Sequence, residues 1–115
     1  MATIQIQSLE CVKKTGDPGD NDEVYINLET EGLTGKLPDD KDYWELSDLQ
    51  IQEIERTYDF SKTFTLTVME SDTGSDDQIG TYTFDTSKSI PSSPLRFTGT
   101  EDDEWDYKLN FTYSA

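Results

Sequence analysis

The sequence predicts an all-β protein, an antiparallel sandwich of eight short strands in one domain spanning residues 1–115. Apolar and polar residues alternate with a period of two in one segment after another, as strands do when one face lies on a core. Between those segments stand runs of Gly, Pro, Asp, Asn and Ser, the residues that turn a chain. A length of 115 residues suits a single core and not two.

Thr3-Ile4-Gln5-Ile6-Gln7 alternates cleanly and continues loosely to Val12, a first strand with Ile4 and Ile6 inward. Lys13 to Asp22 is a loop of turn-forming residues. Glu23 to Glu29 is the second strand, with Val24, Ile26 and Leu28 on the core face. Residues 31–41, rich in Gly, Pro and Asp, read as a connection. Asp42-Tyr43-Trp44-Glu45-Leu46 is then a short third strand, and Ser47-Asp48 turns the chain. Leu49 to Ile54 carries two periodicities: Leu49 and Ile51 alternate as in a strand, while Ile51, Ile54 and Tyr58 fit a helical stripe. Every neighbour is a strand, so a strand is expected here as well. Thr63 to Met69 and Gln78 to Phe84 are the fifth and sixth strands, and Leu95 to Thr98 is the seventh. Trp105 to Tyr113 is the eighth, with one wholly aromatic or aliphatic face. Trp44 and Trp105 each begin a strand pattern and are expected in the core.

Hydrophobic residues make up 32% of the chain, which implies a thin core, but their patterning argues for a folded domain. Net charge is −16, from 25 acids against 9 bases. Nucleic acid is excluded as a partner, because affinity for phosphate comes from Lys and Arg. There is no His, the commonest general base and transition-metal ligand. The single cysteine, Cys11, rules out an internal disulfide and a Cys-based zinc site, and is expected as a small buried hydrophobe. No signal-peptide pattern precedes the first strand, and no apolar run approaches a membrane span. The expectation is a soluble chain, cytoplasmic or exported without a leader.

The acids are clustered. Glu70-Ser71-Asp72-Thr73-Gly74-Ser75-Asp76-Asp77 places four carboxylates within eight residues, between two strands. Two unit charges about 5 Å apart repel by roughly 3 kcal/mol at an effective dielectric near 20, so screening or a bound cation is required. If the strands alternate up and down, the loops after strands one, three, five and seven share one end. Those loops hold Asp17, Asp20, Asp22 and Glu23; Asp48; Glu70, Asp72, Asp76 and Asp77; and Glu101 to Glu104. Carboxylates from several loops suit calcium, which takes six to eight oxygens in adaptable geometry, better than magnesium, which demands a tighter octahedron. Glu101 to Glu104 reads better as a polar hairpin turn than as part of a site.

This pattern resembles the C2 domain family. Calcium-binding members carry two aspartates about six residues apart in loop one, the second followed by Pro-Tyr-Val; here Asp17 to Glu23 has that spacing, followed by Val24-Tyr25-Ile26. Their loop three reads Asp-x-Asp, a short polar stretch, then Asp-x-Ile-Gly; here it is Glu70-Ser71-Asp72, then Asp77-Gln78-Ile79-Gly80. Glu23 and Glu70 replace aspartates, and Val24 replaces the proline. The strand order is similar to the circular variant whose first strand is displaced to the C-terminus, and small bacterial C2-like proteins of this length are also similar. The resemblance implies Asp17, Glu23, Glu70, Asp72 and Asp77 as calcium ligands, with Asp22 the rival of Glu23. Backbone carbonyls near Lys14 or Thr73 would complete the shell, and Asp76 would serve a second ion.

The function expected is therefore that of a calcium-binding module whose ion presents a surface to a protein, a carbohydrate or a phospholipid. Phospholipid is the least favoured, since the tips Asp17-Pro18-Gly19-Asp20 and Thr73-Gly74-Ser75 offer nothing apolar or basic. The alternative is an acidic structural or assembly protein with no specific metal site. An enzyme is not expected: carboxylate pairs hydrolyse glycosides in some folds, but no nucleophile motif accompanies them here.

Overall fold

A computed structural model of the chain describes residues 1–15, 21–71, 76–99 and 105–115. Its elements are β1 (Ala2–Lys13), β2 (Asp22–Thr30), β3 (Leu33–Leu37), β4 (Trp44–Leu46), β5 (Gln50–Phe60), β6 (Thr63–Glu70), β7 (Asp77–Asp85), β8 (Leu95–Thr98) and β9 (Asp106–Ser114). One sheet has the order β5-β1-β9-β8 and the other β3-β2-β6-β7, with β4 also paired to β2. All of these pairings are antiparallel. The inner faces of both sheets contribute to one hydrophobic cluster. No helix among the described residues is long and apolar enough to cross a membrane.

The strand count corrects the expected eight. Residues 31–41 are not merely a connection: Leu33–Leu37 pairs with β2 through a tight hairpin. Its two turn residues, Glu31 and Gly32, have φ of 50° and 85°, and positive φ at both central positions is what a two-residue hairpin with native twist requires. Glu31 also accepts hydrogen bonds from the Ser61 amide and hydroxyl, at 2.8 and 2.6 Å, which holds the turn in place. The Glu-Gly pair is a weak turn signal, and Gly35 breaks the apolar alternation, so the strand was hidden by composition.

The extra strand does not upset the up-and-down order. β3 pairs with residues 26–30 of β2 and β4 with residues 22–24, both antiparallel, so the two run in the same direction along one edge. The ambiguous segment is indeed a strand, and a long one: β5 extends to Phe60 on the edge of the first sheet. Leu49, just before it, has φ 64° and donates its amide to the Cys11 carbonyl at 2.7 Å.

In β1 the alternation shifts at a bulge between Ile6 and Ser8. One extra residue moves the inward set from even to odd positions, which is why Ile4 and Ile6 are followed inward by Leu9 and Cys11. Each of these side chains is fully buried, and such burial contributes about 1.5–3 kcal/mol for a residue the size of Ile or Leu.

The two ends of the sandwich differ in chemistry. At one, Phe60, Phe64, Phe84 and Phe111 pack with ring centroids 5.6 Å (Phe60–Phe64) and 5.1 Å (Phe84–Phe111) apart. The other gathers the C-terminal ends of β1, β4, β6 and β8 and the starts of β2, β5, β7 and β9. Short links tie it together: the Lys14 amide donates to Asp48 Oδ1 at 2.8 Å, the Ser71 amide to the Glu23 carbonyl at 2.7 Å, and the Trp105 indole to the Ile79 carbonyl at 3.2 Å.

Candidate metal centre

Period-two geometry decides which acids meet at this end. In β2 the inward residues are Asp22, Val24, Ile26 and Leu28; in β6 they are Phe64, Leu66, Val68 and Glu70. Each strand thus ends its apolar face on a carboxylate. Val24 is in register with Glu70, so the two carboxylates come from adjacent strands of one sheet. Asp22 is 2% exposed and Glu70 7%.

Thr15, where the chain leaves β1, stands between them. Its amide donates to Asp22 Oδ2 at 2.9 Å. Its hydroxyl oxygen lies 2.7 Å from Asp22 Oδ1 and 2.6 Å from Glu70 Oε2. From the opposite sheet, the Tyr107 hydroxyl donates to Asp22 Oδ2. Tyr107 is fully buried and in register with Cys11, whose thiol it also meets. Burial, followed by the hydrogen bonds with Asp22 and Cys11, pushes the Tyr107 phenol far above its ordinary value. Burial likewise pushes the Cys11 thiol up to about 11, with the Tyr107 hydrogen bond opposing the shift. Both therefore stay protonated at neutral pH, so neither adds negative charge beside Asp22.

The other predicted ligands are placed differently. Glu23 faces away from the core, in register with Glu45, and its hydrogen bond with the half-buried Tyr43 raises that phenol above its ordinary value. Asp76 accepts a hydrogen bond from the Tyr25 hydroxyl on that same outer face. Burial, and then Asp76, push the Tyr25 phenol up to about 12. Asp77 opens β7 in register with Glu70 and is exposed. Between the two loop-one rivals, the structure puts Asp22, not Glu23, beside Glu70. Asp17 and Asp72, and the Glu101 to Glu104 run, lie outside the described residues.

Among the described residues, no three His, Cys, Asp or Glu side chains come close enough together to hold an ion. Asp22 and Glu70 form a two-carboxylate nucleus with a hydroxyl between them. Its donors are hard oxygens, and the one nearby sulfur is a protonated thiol, so the set fits calcium or magnesium and not a soft metal. Thr15 and Tyr107 were not singled out from sequence. Tyr107 sits on the inward face of an obvious strand, and its phenol had to find a partner there; Thr15 lies in a loop where one threonine looks like any other.

No protein-family model matches the chain, and no curated protein matches it. Solved structures do. The C2A domain of a plant extended synaptotagmin 1 superposes with a TM-score of 0.53 over 99% of this chain and 95% of its own, at 8% identity. A structure described as a C2 domain gives 0.52 over the whole of both chains, at 12% identity. Human GIVD cytosolic phospholipase A2, in complex with methyl gamma-linolenyl fluorophosphonate and terbium chloride, gives 0.52 at 17% identity, over 99% of this chain. The match spans only 17% of the phospholipase chain. At these identities the likeness is one of fold: the protein is an antiparallel β-sandwich with a C2-like fold.

Proposed function

We propose that the protein is a non-catalytic, calcium-binding C2-like module. The observation that carries this reading is the pair of inward faces on β2 and β6 that end on the buried carboxylates Asp22 and Glu70, joined through Thr15. Burying two carboxylates side by side is costly unless positive charge joins them. The exposed Asp77 beside Glu70, with Asp17 and Asp72 from the adjoining loops, would supply further oxygens. Calcium bound there orders the loop ends and presents them to a protein, carbohydrate or phospholipid partner. Support for the hard-ion class also comes from the phospholipase structure determined with terbium chloride, since lanthanides and calcium share a preference for oxygen donors.

Thermal melts in calcium, in magnesium and in chelator test the proposal. At a hundredfold excess over Kd, calcium adds about 2.7 kcal/mol, or about 10 °C in a domain of this size. A melting temperature that responds equally to calcium and magnesium, or to neither, retires it. A second reading, an acidic assembly protein with no metal site, is favoured by Leu49 and Ile51, which are exposed at the start of edge strand β5. It predicts oligomers by light scattering that persist unchanged in chelator, whereas a monomer under all conditions removes it.

A further inference from the structure

Leu49 is neither suited to its backbone nor buried. It takes the third position of the turn 47–50 with φ 64°, a left-handed conformation that Gly or Asn adopts readily and a bulky residue does not. The Gln50 amide closes the turn by donating to the Ser47 carbonyl at 3.2 Å, and the Ser47 amide donates to Gln50 Oε1 at 2.8 Å. The Leu49 side chain is 77% exposed, and Ile51, two residues on, is 55% exposed. A side chain that fits its backbone poorly and buries little adds nothing to folding. Backbone strain of this kind gathers where a protein makes contacts.

The two side chains stand on the edge of a sheet, because β5 is the end strand of its order. The later part of that edge is blunted. Glu55 has φ 53° opposite the register shift between Ile6 and Ser8, and Arg56 is paired with Asp39 at 3.0 Å. Bulges and charges of this kind keep another strand away from an edge. Residues 50–53, in contrast, pair with β1 in unbroken register. Ile51 lies opposite Glu10, and Gln52 opposite the buried Leu9. Ile51 is therefore on the outer face. Gln52 is on the side of the other sheet, where it lines a cleft of about 510 Å³ with Lys41, Asp42, Tyr43 and Glu45.

We infer that residues 49–53 dock an extended basic segment of another protein, added to the edge of β5 as a further strand. An added strand points alternate side chains to opposite faces. Those on the outer face cover Leu49 and Ile51, which suits apolar residues. Those on the cleft side meet Asp42 and Glu45, which suits Lys or Arg. Glu10 and Glu53, beside Ile51 on the outer face, favour the same sign of charge. A second copy of this chain fits worse, since each copy brings a net charge of −16 to the contact. The surface includes neither Asp22 nor Glu70 and needs no calcium.

The probe is a fluorescein-labelled heptapeptide in which Lys and Ile alternate, titrated with the protein in chelator at physiological salt and read by fluorescence anisotropy. Its control has the same composition and charge, with the lysines in one block and the isoleucines in another. The alternating peptide should bind about tenfold more tightly than the control, and Leu49→Asn combined with Ile51→Thr should weaken it about tenfold. That double variant should melt no lower than wild type, because Asn suits the left-handed position and Thr a strand. Equal affinity for the two peptides would mean attraction by charge alone and would overturn the proposal. Equal affinity of wild type and double variant, or no binding by wild type, would overturn it as well. A lower melting temperature in the double variant would assign both side chains to the fold and remove the reason for a partner. A wild-type oligomer in light scattering that the double variant dissolves would give the edge to a second copy, against the proposal.

Discussion

Gly80→Ala tests the packing that brings the two sheets together just below the acidic end. Gly80 lies in β7 against Phe97 of β8, where the edges of the sheets meet. A methyl group built on its Cα would stand 2.2 Å from Phe97 Cδ1, 2.4 Å from Cγ and 2.8 Å from Cβ. Ordinary contact begins at 3.4 Å, so the ring would have to withdraw by more than an ångström. Phe97 is 9% exposed and part of the core, and its Cβ, being fixed to the backbone, cannot swing aside with the ring. Overpacking of this kind costs about 1–3 kcal/mol, which lowers the melting temperature by about 4–12 °C for a domain of this length. Urea denaturation measures the free energy directly. Combining Gly80→Ala with Phe97→Leu should cost less than the sum of the two single changes, because the smaller side chain relieves the clash. Strict additivity, or a Gly80→Ala variant as stable as wild type, would refute the close approach.

Three further outcomes follow from the local chemistry. Cys11 should resist alkylation in the native protein at neutral pH and react fully in denaturant, since burial lifts its thiol to about 11; rapid native alkylation would contradict its burial. The Tyr107 phenol is raised above its unfolded value of 10.0, so the stability linked to it is fully present below pH 10 and is lost as pH rises through the higher folded value. Denaturation followed across that range should show stability falling above pH 10, with a shallower fall in Tyr107→Phe; identical slopes would contradict the shift. Arg56→Gln should leave the melting temperature nearly unchanged, because its paired 3.0 Å contacts with Asp39 lie on exposed side chains; a large drop would contradict that.

What the sequence revealed of the fold followed from how strictly each segment keeps its period. β6 and β9 alternate without interruption and were plain. β1 needed its bulge to be understood, because a one-residue shift at Ile6/Ser8 blurs the pattern that a periodicity argument relies on. β3 was missed because Gly35 and an unusual Glu-Gly turn imitate a loop, and β5 was ambiguous because an edge strand buries too little to show a clean face. At the site, the gathering of the strand ends that flank the acidic segments was legible from the alternation of strand direction. The inward placement of Asp22 rather than Glu23 was legible too but was not drawn, although a one-residue difference in register sends adjacent side chains to opposite faces. Counting inward positions back from Leu28 through Ile26 and Val24 leads to Asp22, and the same count along β6 leads to Glu70. That signal was present and needed only to be continued past the last apolar residue.

The central claim, that this acidic end is a receptor for calcium, is tested most directly by equilibrium dialysis against calcium with magnesium in excess. Wild type should retain at least one calcium per chain, and Asp22→Asn combined with Glu70→Gln should lose it while keeping the circular dichroism of a β-sandwich. Retention of no calcium by wild type, or equal retention by the double variant, would contradict the account.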